Sequence, residues 1–186
     1  KIGAVPVITT ATDVGRRFSP DSFAKANELV ITDLDASKRI ASAVLDGEKI
    51  GLLSEYPCEN IPPEISLYKA CKIGIHIGTD DEKKPFETTL FLPPKNIVVG
   101  IGCKRGTSCE MIEAHVKACF EAAKILEERL CAAATIDIKS DEKGLLEFCR
   151  KHKIRLLTYS AEELMSMNGS FESSDFVLKT TGTDNV

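Results

Sequence analysis

Three short apolar runs in the second half of the chain, residues 96–102, 132–138 and 154–159, are separated by stretches whose apolar residues recur at helical spacing. Strand, helix, strand, helix, strand in that order predicts a parallel-containing sheet, because parallel neighbours need a crossover long enough to hold a helix. Thr107 and Glu110 form a capping box, after which Ile112, Val116, Phe120 and Ala123 share one helical face. Asp141 is placed to cap a second helix carrying Leu145, Leu146 and Phe148. Ser160 and Glu163 make another capping box, opening a short helix before the polar loop 168–174.

The first half follows the same grammar less regularly. Residues 5–9 read as a strand, Ser19-Pro20-Asp21-Ser22 opens a helix ending near Glu28, and Leu29–Thr32 reads as a second strand. Asp35 can cap a helix through Ile40, Val44 and Leu45, closed by Gly47 at a left-handed position. Residues 49–54 are a third strand. Pro57, Pro62 and Pro63 then break all periodicity up to Ala70, which predicts a linker or an irregular excursion. Cys71, Ile73, Ile75 and Ile77 alternate with polar or small residues as in a half-buried strand. Past the charged turn 80–84, residues 88–92 can pair back as a hairpin. Pro93 and Pro94 mark a boundary, so the expectation is an α/β protein of two lobes, 1–94 and 95–186. The second lobe holds a mixed or parallel-containing sheet with helices on its faces.

With 24 basic and 28 acidic residues the net charge is −4, which supplies no electrostatic footprint for nucleic acid or an anionic membrane. No run approaches the roughly 20 apolar residues of a membrane span, and a cytoplasmic location is the expectation. Seven cysteines, an odd number without a Cys-x-x-Cys pair, suit a reducing compartment, most of them as small buried hydrophobes. Any anionic ligand must therefore be held by local features.

The stretch Gly100-Ile101-Gly102-Cys103-Lys104-Arg105-Gly106-Thr107 is such a feature. Backbone N–H groups at a strand-to-helix turn favour an anion, glycine permits close approach, and Lys104 and Arg105 add charge. The same residues also suit a plain tight turn with two solvated cations. Neither nucleotide fingerprint fits: Lys104 precedes the last glycine instead of following it, and Gly106 comes one residue late for Gly-x-Gly-x-x-Gly. The turn holding Lys139, Asp141 and Glu142 follows the next strand and should reach the same sheet edge, where open α/β sheets bind ligands. There Lys139 and Glu142 can serve a ligand or simply pair with each other. Thr9, Thr10, Thr12 and Asp13 form the corresponding strand-end loop of the first lobe, with a turn of local side-chain bonds as the alternative. Cys103, beside a helix start and two cations, is a candidate nucleophile. His76 alternates away from the isoleucine face, as a general base or as a structural histidine. His115 and His152 fall on or beside helices far from both loops in sequence, and Lys151 reads as a solvated charge.

Two sets of residues resemble a known family. Pro6-Val7-Ile8-Thr9-Thr10-Ala11-Thr12-Asp13-Val14 followed by Phe23-Ala24-Lys25 resembles the central block of the CbiG family of cobalamin biosynthesis. The stretches 99–107, 135–145 and 159–164 resemble, in order and spacing, its carboxyl-terminal domain, which is itself similar to the stand-alone CobE protein. The resemblance implies cobalt-precorrin-5A hydrolase activity, in which water opens a δ-lactone and acetaldehyde leaves to give cobalt-precorrin-5B. It implies a cobalt-tetrapyrrole substrate that brings its own metal, so that no further cofactor is expected, and it leaves room for a homodimer or contact with neighbouring pathway enzymes. It also leads us to expect further family sequence before Lys1 and after Val186, and a noncatalytic tetrapyrrole-binding module is the alternative reading. It assigns no catalytic residue. The ligand-binding expectation rests on Gly100, Gly102, Cys103, Lys104, Arg105, Gly106, Thr107, Lys139 and Glu142, with Thr9, Thr10, Thr12 and Asp13 from the first lobe.

Overall fold

The computed structural model describes residues 18–67 and 71–167. The expected strand 5–9, the loop Thr9 to Asp13 and the loop 168–174 lie outside those residues. The chain divides into two compact units between Lys95 and Asn96. Among the described residues no helix is long and apolar enough to cross a membrane.

In the first unit, helix α1 (Pro20–Ala26) carries its proline in the first turn, where the missing N–H has no partner to lose. Helix α2 (Leu34–Leu45) is capped by Asp33, not by Asp35: Asp33 Oδ1 accepts the N–H groups of Asp35 and Ala36, both at 2.8 Å. Asp35 sits inside the first turn and pairs with Lys38 at 3.1 Å. Gly47 ends the helix at φ +82°, as its position requires. The expected strand 29–32 is reduced to one antiparallel bridge between Leu29 and Pro94. Three apolar residues and a threonine cannot by themselves supply a partner strand.

Strands β1 (Ile50–Ser54), β2 (Ile65–Ser66), β3 (Ile73–Ile77) and β4 (Thr88–Phe91) form a sheet in the order β2-β1-β3-β4, every pair parallel. The hairpin expectation for residues 88–92 is therefore wrong. The connection 78–87 crosses over the sheet instead, although it is shorter than the roughly dozen residues such crossovers usually take. Phe86 explains how: its ring lies against Gly51 and Gly74 on adjacent strands, where any β-carbon would overlap it. The opposite sheet face carries Ile50, Leu52, Ile75, Ile77, Leu90 and Leu92, which pack with Ala36, Ile40 and Val44 of α2. Strand β3 is thus buried on both faces rather than on one: Gly74 of the alternation makes room for Phe86, and His76 is buried, instead of facing solvent.

The second unit holds β5 (Ile97–Gly100), β6 (Leu130–Ile136) and β7 (Arg155–Tyr159), parallel and in chain order. This is the parallel α/β arrangement expected from the alternating pattern. Helix α3 (Cys109–Ala123) joins the first two strands, α4 (Lys143–His152) the next two, and α5 (Ala161–Met165) follows the last. Ile112 and Phe120 of α3 and Leu145, Phe148 and Cys149 of α4 pack with Ile97, Val99, Ala133 and Leu156 of the sheet. Three local expectations shift. Ser108 caps α3, accepting Met111 N–H, while Thr107 Oγ1 donates to Lys104 O at 2.8 Å and closes the preceding turn. Strand β6 stops at Ile136 and becomes a 3₁₀ turn, Asp137–Lys139. Glu142, not Asp141, occupies the N-cap position of α4. The Ser160–Glu163 capping box is present in both directions, at 3.2 and 2.7 Å. All seven cysteines are free thiols, but only Cys109 and Cys149 are buried, fewer than expected.

Candidate functional site

The loop after β5 and the turn after β6 leave adjacent parallel strands at their carboxyl ends, and they touch. Glu142, 5% exposed, is the hub. One carboxylate oxygen accepts the Gly106 N–H at 3.1 Å, and the other lies 3.4 Å from both Lys139 Nζ and an Arg105 nitrogen. Gly106 adopts φ +77°, a left-handed conformation that suits glycine and little else. Arg105 also donates to Asp141 at 3.2 Å and to the Ile138 carbonyl at 3.0 Å. The Arg105 guanidinium is therefore engaged by its own fold, whereas Lys104 beside it is exposed and forms no ion pair among the described residues.

The Gly106 N–H holds the Glu142 carboxyl below its ordinary value of 4.5; burial opposes this, and Lys139 and Arg105 reinforce it. Glu142 is consequently ionised throughout the neutral range and serves as an anchor rather than as an acid. A carboxyl lowered in the folded state adds stability above its unfolded value and loses it as pH falls through the folded one. Glu142→Gln should then lower the melting temperature at pH 7 and flatten the loss of stability below about pH 4.5, read by circular dichroism melts across pH 3–7. Parallel acid limbs for the two proteins would rule this role out.

On the other side of the glycine loop lies a cleft of 530 Å³. Gly100, Gly102, Cys103, Lys104 and Thr107 line it, facing Met111, His115 and Cys119 of α3. Lys139 and Glu142 do not line it; they brace the loop. Thr9, Thr10, Thr12 and Asp13 lie outside the described residues. A β-carbon on Gly100 would meet open space, and Met111 is 56% exposed, so the cleft has a flat glycine edge and an apolar wall.

His115, set apart from the loops in sequence, borders this cleft in the fold. The signal lies in the spacing, since Met111, His115 and Cys119 recur every four residues and so form one stripe along α3. The apolar stripe of Ile112, Val116 and Phe120 on the same helix carries the stronger periodic signal. His115 Nδ1 lies 2.8 Å from the Met111 carbonyl, which can only accept, so Nδ1 carries the proton and Nε2 is left with its lone pair. His152 pairs with Glu113 at 2.9 Å and packs on Phe148, and Lys151, exposed as expected, reaches the same Glu113 at 2.8 Å and so is paired rather than isolated. His76 is buried, and among the described residues neither ring nitrogen has a hydrogen-bond partner; Glu55, 3.7 Å away, is held by Lys83 from the 78–87 crossover.

Comparison with known proteins agrees along the chain. Cobalt-precorrin-5A hydrolase of Priestia megaterium is 28% identical over 202 aligned residues, covering 98% of this chain and 54% of the relative. The protein of that name from Salmonella typhimurium is 28% identical over 204 aligned residues, 100% of this chain and 56% of its own length. The chain thus spans about half the length of the curated relatives it matches. Among solved structures, CobE, a protein from the cobalamin (vitamin B12) biosynthetic pathway, is 29% identical over 48% of this chain and 63% of its own, with a TM-score of 0.45. Residues 18–94 match the family model of the cobalamin biosynthesis central region and residues 97–186 that of the cobalamin synthesis G C-terminus. With both regions present, in that order and along nearly the whole chain, the protein belongs to the CbiG family.

Proposed function

We propose that this chain forms the tetrapyrrole-binding part of a cobalt-precorrin-5A hydrolase, seating its substrate in the cleft between the glycine loop and α3. The carrying observation is an exposed Lys104 without an ion pair among the described residues, beside a glycine edge whose loop is braced by Glu142. A flat macrocycle rimmed by carboxylates suits that combination: glycine allows the ring edge close to the backbone, the apolar wall covers its face, and Lys104 meets a rim carboxylate. Gly106 and Thr107 shape the loop, Cys103 lines it, and Arg105 and Lys139 act through Glu142. The chemistry is attack of water on the δ-lactone carbonyl, ring opening and departure of acetaldehyde. Cobalt enters and leaves with the substrate, and the reading assigns no resident cofactor.

Lys104→Ala should weaken binding of a cobalt tetrapyrrole about tenfold, the worth of one charge-assisted bond, with an unchanged melting temperature. Arg105→Ala should weaken binding and stability together, because its partners lie in the protein. Lys124→Ala, at the far end of α3, should change neither. Equal affinities for the Lys104 and Lys124 variants, measured by titration calorimetry, would remove the cleft from consideration. Acetaldehyde released by this chain supports the hydrolase reading; binding without release supports a noncatalytic tetrapyrrole-binding module.

A further inference from the structure

We infer that His115 is the protein's axial ligand to the metal of a cobalt tetrapyrrole lying in the glycine-loop cleft. The inference rests on the proposed seating of such a macrocycle there and adds which protein atom touches its metal. A tetrapyrrole fills the equatorial positions of its cobalt with four ring nitrogens, so the open positions lie above and below the ring. One protein donor is sufficient, provided that it reaches the cleft, carries a free lone pair and is held in one orientation.

His115 meets these conditions. It lies on the cleft-lining stripe of α3, one turn beyond Met111 and one turn before Cys119, on the same cleft as Gly100 and Lys104. Its Nδ1–H is bound to the Met111 carbonyl at 2.8 Å, which fixes the tautomer and leaves Nε2 as a donor. Metal-binding imidazoles are commonly oriented in this way, with the second ring nitrogen tied to a carbonyl or carboxylate. The other two histidines differ: His76 is fully buried, and His152 directs Nε2 to Glu113 at 2.9 Å. Met111, Cys103 and Cys119 place sulfur on the same cleft, but among the described residues none of these sulfurs is fixed by a comparable bond. Coordination exchanges one ligand for another without redox change: the Nε2 lone pair takes the place of a water on cobalt, and the water leaves. Such a bond sets one face of the ring against α3 and so fixes which part of the rim meets Lys104.

The probe is the aqua form of cobyrinic acid, a cobalt corrinoid with free rim carboxylates and exchangeable water on the metal. Its metal-free counterpart serves for comparison. Titration of the whole chain into the cobalt form should shift its visible bands as free imidazole does. His115→Ala should bind it without the shift, and added imidazole should restore the shift in that complex. The wild-type chain should prefer the cobalt form to the metal-free form by about tenfold, and His115→Ala should bind both equally. Because His115 is exposed, the substitution should leave the melting temperature unchanged. Binding of both macrocycles without a band shift, or the same shift in His115→Ala, overturns the ligand and leaves the seating intact. If the wild-type chain binds neither macrocycle, the seating fails first and the ligand with it.

Discussion

Gly144→Ala should destabilise the second unit by about 3 kcal/mol or more, the upper range for overpacking. Gly144 is the second residue of α4, and its α-carbon faces the turn that begins α3. A β-carbon there would overlap the Thr107 carbonyl oxygen and stand 2.9 Å from Ser108 C and 3.0 Å from Cys109 N. All three are backbone atoms, so no side-chain rotation relieves the contact, and the start of α3 must move. The same displacement would pull Gly106 away from Glu142, so tetrapyrrole affinity should fall together with stability. In urea denaturation the midpoint should drop at unchanged slope. Gly100→Ala, whose β-carbon meets open space, should stay within about 0.5 kcal/mol of the parent. A Gly144→Ala midpoint matching the parent would show that the two helix starts are not in the contact described.

Phe86→Ala should cost about 3–5 kcal/mol, as expected for truncating a buried phenylalanine. The ring is only 7% exposed and is the apolar cover of the 78–87 crossover, so its loss leaves the Gly51 and Gly74 backbones facing a void. The two glycines predict a strong coupling. Gly74→Ala in the parent forces a β-carbon into the Phe86 ring, with the ring Cγ at 2.7 Å, whereas in Phe86→Ala it meets no ring and helps to fill the gap. The double variant should therefore be no less stable than Phe86→Ala alone. A double-mutant cycle by urea denaturation tests this, and simple additivity of the two single changes would refute the ring-on-glycine contact.

The second unit was more legible than the first for a physical reason. Around β5, β6 and β7 the strand segments are short and the intervening helices announce themselves by period and cap, so the parallel direction follows from connections long enough to hold a helix. In 71–77 Gly74 imitates a polar position of a half-exposed strand. Only the three-dimensional partner, Phe86, distinguishes room made for a ring from a face given to water. The caps illustrate a finer limit. Asp33 and Asp35 each satisfy the sequence rule, as do Thr107 and Ser108, and which one caps depends on the backbone entering the helix. At the site, the closeness of 100–107 to 139–142 follows from parallel strand ends. That Arg105 and Glu142 face one another while Lys104 lines the cleft does not, because neighbouring cations in a loop are indistinguishable by spacing. The His115 stripe could have been read from the four-residue repeat.

The strand orders have a consequence for how the chain is made. In the order β2-β1-β3-β4, β2 joins one side of β1, β3 the other side, and β4 then extends β3 outward; β5, β6 and β7 simply follow one another. No described strand has to enter between two that are already paired. Each sheet can grow at its margins as the ribosome delivers the chain, and no earlier pairing needs to be undone when the next strand emerges.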